Sequence, residues 1–137
     1  MLSLNGKVVA ITGIGSPDNP KGNGRAIAEL FARQGAFVEG IDYQETEGTR
    51  SRDAIRQTGG NCKLTVGDVT SETDVNAWIS AVVNYHGRLD ILINNVGQSE
   101  RMTPESVDTA CWQEQLELNL NSVMMTCRAA LPYMIDQ

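Results

Sequence analysis

Cysteine is scarce in this chain, and the cysteines present are ill-placed for a structural role. Cys62, Cys111 and Cys127 are odd in number and show no metal-ligand spacing. That argues against a disulfide framework and against a metal site, and leaves them as core thiols. Positive charge is short as well, with 11 lysines and arginines against 17 aspartates and glutamates and a formal net charge of −6. Without a basic patch to supply phosphate contacts, a nucleic-acid or anionic-membrane surface is excluded, and the partner becomes a small molecule or another protein. No apolar run is long enough to span a bilayer, and Met1-Leu2-Ser3-Leu4-Asn5-Gly6-Lys7 lacks the apolar stretch of a signal peptide. A soluble, cytoplasmic protein is expected. Low-complexity tracts and internal repeats are missing too, and an apolar fraction of 41% with 20% charged residues excludes disorder. Residues 1–137 are therefore expected to form a single domain, large enough to bury roughly two-thirds of the surface its unfolded form exposes.

What is present is an alternation. Apolar, β-rich runs at Lys7–Thr12, Ala36–Asp42, Asn61–Val66 and Leu89–Asn94 are separated by helical patterns at Gly24–Gln34, Thr46–Thr58 and Ser71–Tyr85, and a further helix opens at Thr109. Four β-α units of this kind predict an α/β fold, a parallel sheet with helices on both faces. Helix punctuation agrees: Ser71 stands before the third helix with Asp74 three residues on, and Gly35, Gly59 and Gly87 follow helices. Val8-Val9-Ala10-Ile11 and Leu89-Asp90-Ile91-Leu92-Ile93 are nearly continuously apolar, as central strands covered on both faces must be.

The most informative segment is Thr12-Gly13-Ile14-Gly15-Ser16-Pro17-Asp18-Asn19-Pro20-Lys21-Gly22-Asn23-Gly24, between the first strand and the first helix. A strand that ends in glycines and restarts as a helix turns backbone N–H groups and the helix's positive end toward an anion. The ligand expected is a nucleotide. The general G-x-G-x-x-G spacing is not met, because Ile27 occupies the third position, and a flexible loop with no ligand is the alternative reading of the turn alone. Asp42 adds a second sign. It ends the second strand about 20 residues after Gly22, where a carboxylate accepts hydrogen bonds from an adenosine ribose.

Five blocks now carry a resemblance. Thr12-Gly13, Gly22-Asn23-Gly24-Arg25-Ala26-Ile27-Ala28, Asp68-Val69, Gly87-Arg88-Leu89-Asp90-Ile91-Leu92-Ile93-Asn94-Asn95-Val96-Gly97 and Asn119-Leu120 resemble, in order and spacing, the N-terminal cofactor-binding half of the short-chain dehydrogenase/reductase family. One departure is plain. The family's Thr-Gly-x-x-x-Gly-x-Gly turn has three residues between its first two glycines, whereas Ile14 to Lys21 make eight, an insertion of five that contains Pro17 and Pro20. Loops absorb such additions at small entropic cost, so the insertion bears on the phosphate contacts rather than on the fold.

The resemblance implies a Rossmann-type three-layer α-β-α domain with a parallel sheet of about four strands in the order 3-2-1-4. It further implies that Gly13, Gly22 and Gly24 admit a pyrophosphate, that Asp68 and Val69 contact adenine, and that Asn95 and Gly97 lie beside the nicotinamide ribose. Asn119 resembles the family's active-site Asn, which supports a proton-relay water. Two of these positions also have plain structural readings: Asp68 as a turn carboxylate before Val69-Thr70-Ser71, and Asn94-Asn95 as a hydrogen-bonded clamp between strands. Asp42 repels a ribose 2′-phosphate and favours NAD, while Lys21 resembles a basic position of NADP-preferring members; the reading is NAD ahead of NADP.

Catalysis in the family uses a Tyr with a Lys four residues on, and a Ser beside the carbonyl oxygen. Here Tyr43, Tyr85 and Tyr133 are followed at that distance by Glu47, Leu89 and Gln137, so the pair is expected beyond Gln137. The resemblance thus implies an NAD(P)-dependent carbonyl/alcohol oxidoreductase, present as its cofactor-binding half and inactive alone, with a small alcohol or ketone substrate in full-length form. The alternatives are a non-catalytic nucleotide-binding or oligomerising short form, and an adenosine-cofactor methyltransferase, to which Asn94-Asn95-Val96-Gly97 is foreign. His86, the single histidine, is read as a surface residue in the turn before Gly87. Trp112, Leu116, Leu120, Met124, Cys127, Leu131 and Ile135 form one apolar stripe at helical spacing, and Leu118, Met125 and Ala129 part of a second. They are read as core first and as a homo-oligomer surface second, with Leu89–Asn94 left as an unpaired apolar edge.

Overall fold

The computed structural model describes residues 3–15 and 22–137. The strands are β1 (Val8–Thr12), β2 (Phe37–Asp42), β3 (Asn61–Val66) and β4 (Ile91–Ile93), and the helices α1 (Asn23–Arg33), α2 (Glu45–Gln57), α3 (Glu72–His86), α4 (Thr109–Leu116) and α5 (Ser122–Ile135), with a π-helical turn at Glu117–Asn121 between the last two. All pairings are parallel, in the order β3-β2-β1-β4.

β1 carries the sheet because all five of its residues are buried. Its alternate side chains feed two cores. Val8 and Ala10 join Ile41, Val75, Trp78, Ile79, Val82 and Leu89 under α3, while Val9 and Ile11 join Ile14, Ala28, Val38 and Ile55 under α1 and α2. Each fully buried valine or isoleucine contributes about 1.5–3 kcal/mol. Helix ends follow the expected punctuation. Asp74 N–H donates to Ser71 Oγ at 3.3 Å ahead of α3, and Gly35, Gly59 and Gly87 after the helices have φ of 92°, 82° and 71°.

Three expectations need correction. First, β4 is three residues long and half-buried, not a six-residue central strand. Its would-be first residue, Leu89, gives both backbone groups to the Gln137 side chain, N–H to Oε1 at 3.1 Å and C=O from Nε2 at 2.8 Å. Among the described residues no strand pairs with its outer edge.

Second, the helix after Thr109 is interrupted, and the apolar stripe faces outward. Trp112, Leu120, Met124, Leu131 and Ile135 are 49–74% exposed, while α5 buries Ser122, Met125, Thr126 and Ala130.

Third, the His86 side chain is only 10% exposed, and its Nε2 lies 2.6 Å from Oε1 of buried Glu39. A carboxylate inside a strand needs a polar partner, and the imidazole at the end of α3 supplies it. Of the thiols, Cys62 is buried and Cys111 and Cys127 are half-buried, all unbridged. No described helix is long and apolar enough to cross a membrane.

Candidate functional site

The site is built from the carboxyl ends of the strands. Thr12, the last residue of β1, accepts at Oγ1 from the N–H groups of Asn95 at 2.9 Å and Val96 at 3.1 Å. Asn95 Nδ2 answers by donating to the carbonyls of Thr12 at 3.0 Å and Gly13 at 2.9 Å. The clamp reading of this residue is therefore observed: its amide points back into β1. Gly13 turns the chain with a φ of 69° and donates to Ile41 O at 2.8 Å.

α1 starts pressed against that turn. A Cβ on Gly24 would sit 1.8 Å from the Gly13 carbonyl oxygen and 2.6 Å from Asn95 Nδ2, so only glycine allows the helix this close. Gly22 is the N-cap and makes no side-chain cap, and the first turn holds no acidic residue. The helix's first N–H groups and positive end are left without a carboxylate from their own turn. Lys21, Pro17 and Pro20 lie outside the described residues. The insertion nevertheless begins in ordered packing, since Ile14 is fully buried.

Asp42 ends β2 almost buried, at 6% exposure. Its Oδ2 accepts from Gly15 N–H at 2.8 Å and its Oδ1 from Gln44 N–H at 2.9 Å. Each carboxylate oxygen has two acceptor positions, so each keeps one for a ligand hydroxyl. Asp68 is exposed and holds its own turn, with Oδ1 accepting from Thr70 N–H and Oγ1, both at 2.8 Å. The Val69 side chain is buried in the α3-side core.

Gly13, Asp42, Asp68, Val69, Asn95 and Gly97 border one cleft of about 500 Å³. Gly24 packs against Gly13 and Asn95 of that lining, and Gly22, the N-cap of α1, is not among the lining residues. Asn119, in the π-helical turn, reaches it indirectly: Nδ2 donates to Gln98 O at 2.8 Å and to Gln115 O at 2.9 Å, and Oδ1 accepts from Gln98 N–H at 3.0 Å. Tyr43, Gln44, Thr70, Gln98 and Leu118 also line the cleft and were not foreseen. Tyr43 carried a usable signal, an aromatic directly after the strand-ending Asp42, and it is 68% exposed.

A parallel 3-2-1-4 sheet with helices on both faces and a glycine turn, a strand-end carboxylate and the Asn95–Gly97 loop around one cleft define a Rossmann-type domain. The family model described as short chain dehydrogenase matches residues 7–137, and the chain belongs to that family. Among solved structures, a Burkholderia xenovorans protein of the short-chain dehydrogenase/reductase type is similar at 39% identity with a TM-score of 0.94, over 98% of this chain and 53% of that one. A metagenomic short-chain oxidoreductase solved in complex with NADP is 27% identical with a TM-score of 0.88, over 98% of this chain and 59% of that one. The 3beta-hydroxysteroid dehydrogenase 1 of Eggerthella lenta is 30% identical over 98% of this chain and 50% of its own length. The chain spans about half the length of the curated relatives it matches.

Proposed function

We propose that this chain is the dinucleotide-holding half of an NAD(P)-dependent alcohol/carbonyl oxidoreductase, and that it takes NAD in preference to NADP. The observation that carries the preference is the Asp42 carboxylate, fixed between Gly15 N–H and Gln44 N–H at the edge of the cleft. A negative charge held there accepts from a ribose 2′-hydroxyl and repels a 2′-phosphate. The residues fit such a cofactor: the Gly13–Gly24 contact leaves no room for a side chain where a pyrophosphate must meet backbone. Bound there, a nicotinamide dinucleotide supplies the hydride donor or acceptor. Asn95 holds the β1 and β4 loops at fixed separation, and Asn119 holds the Gly97–Gln98 backbone from behind. Asn119 is thus assigned a positioning part.

No tyrosine of this sequence has a lysine four residues on, so the proton donor for the reacting oxygen is assigned to residues of a longer chain. A cytoplasmic setting and pairing of copies through the exposed face of α4 and α5 belong to the same reading, supported by the unbridged thiols and by that face's apolar side chains. The missing Tyr-Lys pair equally favours a second reading, a non-catalytic nucleotide-binding form. The methyltransferase reading falls with the family match.

Calorimetric titration of the chain with NAD and with NADP tests the proposal. NAD is expected to bind more tightly, and Asp42→Ala to narrow or reverse the ratio. Equal affinity for both in the parent removes the preference, and no heat from either at millimolar cofactor removes the site.

A further inference from the structure

We propose that the opposite end of the sheet carries a second ligand site, one that takes a flat organic anion. A cleft of about 760 Å³ opens at the amino ends of β2 and β3, bordered by Phe37, Glu39, Arg56, Lys63, Tyr85 and His86. It shares no residue with the cleft at the carboxyl ends. Its volume falls within the roughly 300–1,000 Å³ of small-molecule pockets.

Charge points to an anion. Among the described cations, Lys7, Arg25, Arg33, Arg50, Arg52, Arg88 and Arg128 each face a carboxylate. Arg56, Lys63 and Arg101 do not, and the first two border this cleft. In a chain with a net charge of −6, two of the three described cations without a salt-bridge partner fall in one concavity, a concentration that a ligand explains. Arg56 spends its Nε on the Cys62 carbonyl at 2.8 Å, which anchors the guanidinium and leaves its terminal N–H groups for a planar oxyanion. Lys63 Nζ rests 2.9 Å from the centroid of the Tyr85 ring, so an aromatic face stands in for a counter-ion. The cleft's own carboxylate, Glu39, is buried and engaged by His86 at 2.6 Å. Glu39 is the register neighbour of Lys63 across β2 and β3, yet its carboxylate is taken by His86 and makes no salt bridge to Lys63.

Ring geometry points to a flat ligand. Phe37 and Tyr85 lie against His86 with centroids at 5.4 and 4.7 Å, and Tyr85 is 68% exposed, so an aromatic wall stands beside the two cations. A planar ring stacks on such a wall with little entropic cost while its carboxylate or phosphate takes Lys63 and Arg56.

The test is a two-dimensional ¹H–¹⁵N NMR titration of the chain with benzoate and phenyl phosphate, against benzyl alcohol (ring alone) and inorganic phosphate (anion alone). Benzoate or phenyl phosphate should shift the amides of Lys63, Tyr85 and His86, and their ratio identifies the preferred oxyanion. Each half-ligand should bind about tenfold more weakly, and Lys63→Gln should weaken the preferred anion about tenfold, the loss of one charge-assisted hydrogen bond. Lys63 sits on the cleft rim, so the variant's remaining spectrum should superimpose on the parent's. The proposal is overturned if benzyl alcohol binds as well as benzoate, if Lys63→Gln leaves binding unchanged, or if the shifts fall only at Gly13, Asp42 and Asp68. It is likewise overturned if millimolar anion produces none.

Discussion

A single methyl group added at position 24 probes the contact on which the glycine turn depends. In Gly24→Ala the new Cβ would lie 1.8 Å from the Gly13 carbonyl oxygen and 2.6 Å from Asn95 Nδ2. Ordinary non-bonded contact requires a retreat of roughly 1.5 Å. Neither side yields easily. Gly13 is tied by its N–H to Ile41 O at 2.8 Å and by its oxygen to Asn95 Nδ2 at 2.9 Å, and α1 is seated on the sheet through buried Ala28 and Ala32. Overpacking of this kind costs about 1–3 kcal/mol, and displacing the Asn95 hydrogen bond about 1 kcal/mol more. Alanine's better helix propensity returns about 1 kcal/mol. The balance, about 2 kcal/mol of lost stability, lowers Tm by about 6–8 °C in a chain of this size. Thermal unfolding followed by far-UV circular dichroism measures that shift, and calorimetry should show NAD affinity reduced at least about tenfold as the turn opens. A Tm within about 1 °C of the parent, with NAD binding unchanged, would refute the argument that helix and turn are in forced contact.

Two further outcomes follow from titratable groups. The Asp90 side chain is 7% exposed; burial pushes its carboxyl up, but hydrogen bonds from Arg88, Val8 N–H and Lys7 outweigh burial and hold it well below the usual carboxylate range. A depressed folded value means that this stabilisation is complete above the unfolded value of about 3.9 and is lost as pH falls below it. Asp90→Asn should therefore be less stable at neutral pH by about 2 kcal/mol and lose less on acidification; urea midpoints that fall in parallel for both proteins would contradict this. Burial pushes the Cys62 thiol up to about 12 despite nearby Arg56. Iodoacetamide at about pH 8 should label it only after unfolding, and mass spectrometry showing native Cys62 modified as fast as half-buried Cys127 would overturn that view.

β1 to β3 and α1 to α3 were legible because period and punctuation agree there: apolar runs the length of strands, Ser71 before α3 and glycines after helices. β4 was overextended because apolarity does not distinguish a ladder from a buried approach to one. Asp90 N–H does bond Val8 O, yet Leu89 is satisfied by a side chain 48 residues away. The first stripe of the outer helix failed for a different reason, while Met125 and Ala129 of the second do pack inward. The face that α5 buries includes Ser122, Thr126 and Ala130, small residues whose hydroxyls bond carbonyls within reach, Ser122 Oγ to Leu118 O and Thr126 Oγ1 to Asn94 Oδ1, both at 2.6 Å. Close packing selected small size over hydrophobicity, so the stripe of large apolar residues marked the opposite side. The π-helical turn left no side-chain period to read.

For the candidate site, residue type was legible and direction was not. Asn95 and Asn119 both occupy positions bordering or behind the cleft, yet each spends its amide on backbone, a choice set by which carbonyls the fold leaves open. Asp42 was readable because a carboxylate at a strand end is exposed to the cleft by topology alone. Glu39 offered a signal of the same kind that was passed over. A charge in the middle of an otherwise apolar strand must be buried by the neighbours' hydrophobicity, and a buried charge requires a partner. The chain offers several such partners, Lys63 opposite Glu39 in β3 among them, and the fold selects His86. Following that requirement leads from β2 to His86 and so to the amino end of the sheet, where Lys63 and Arg56 gather without a salt-bridge partner.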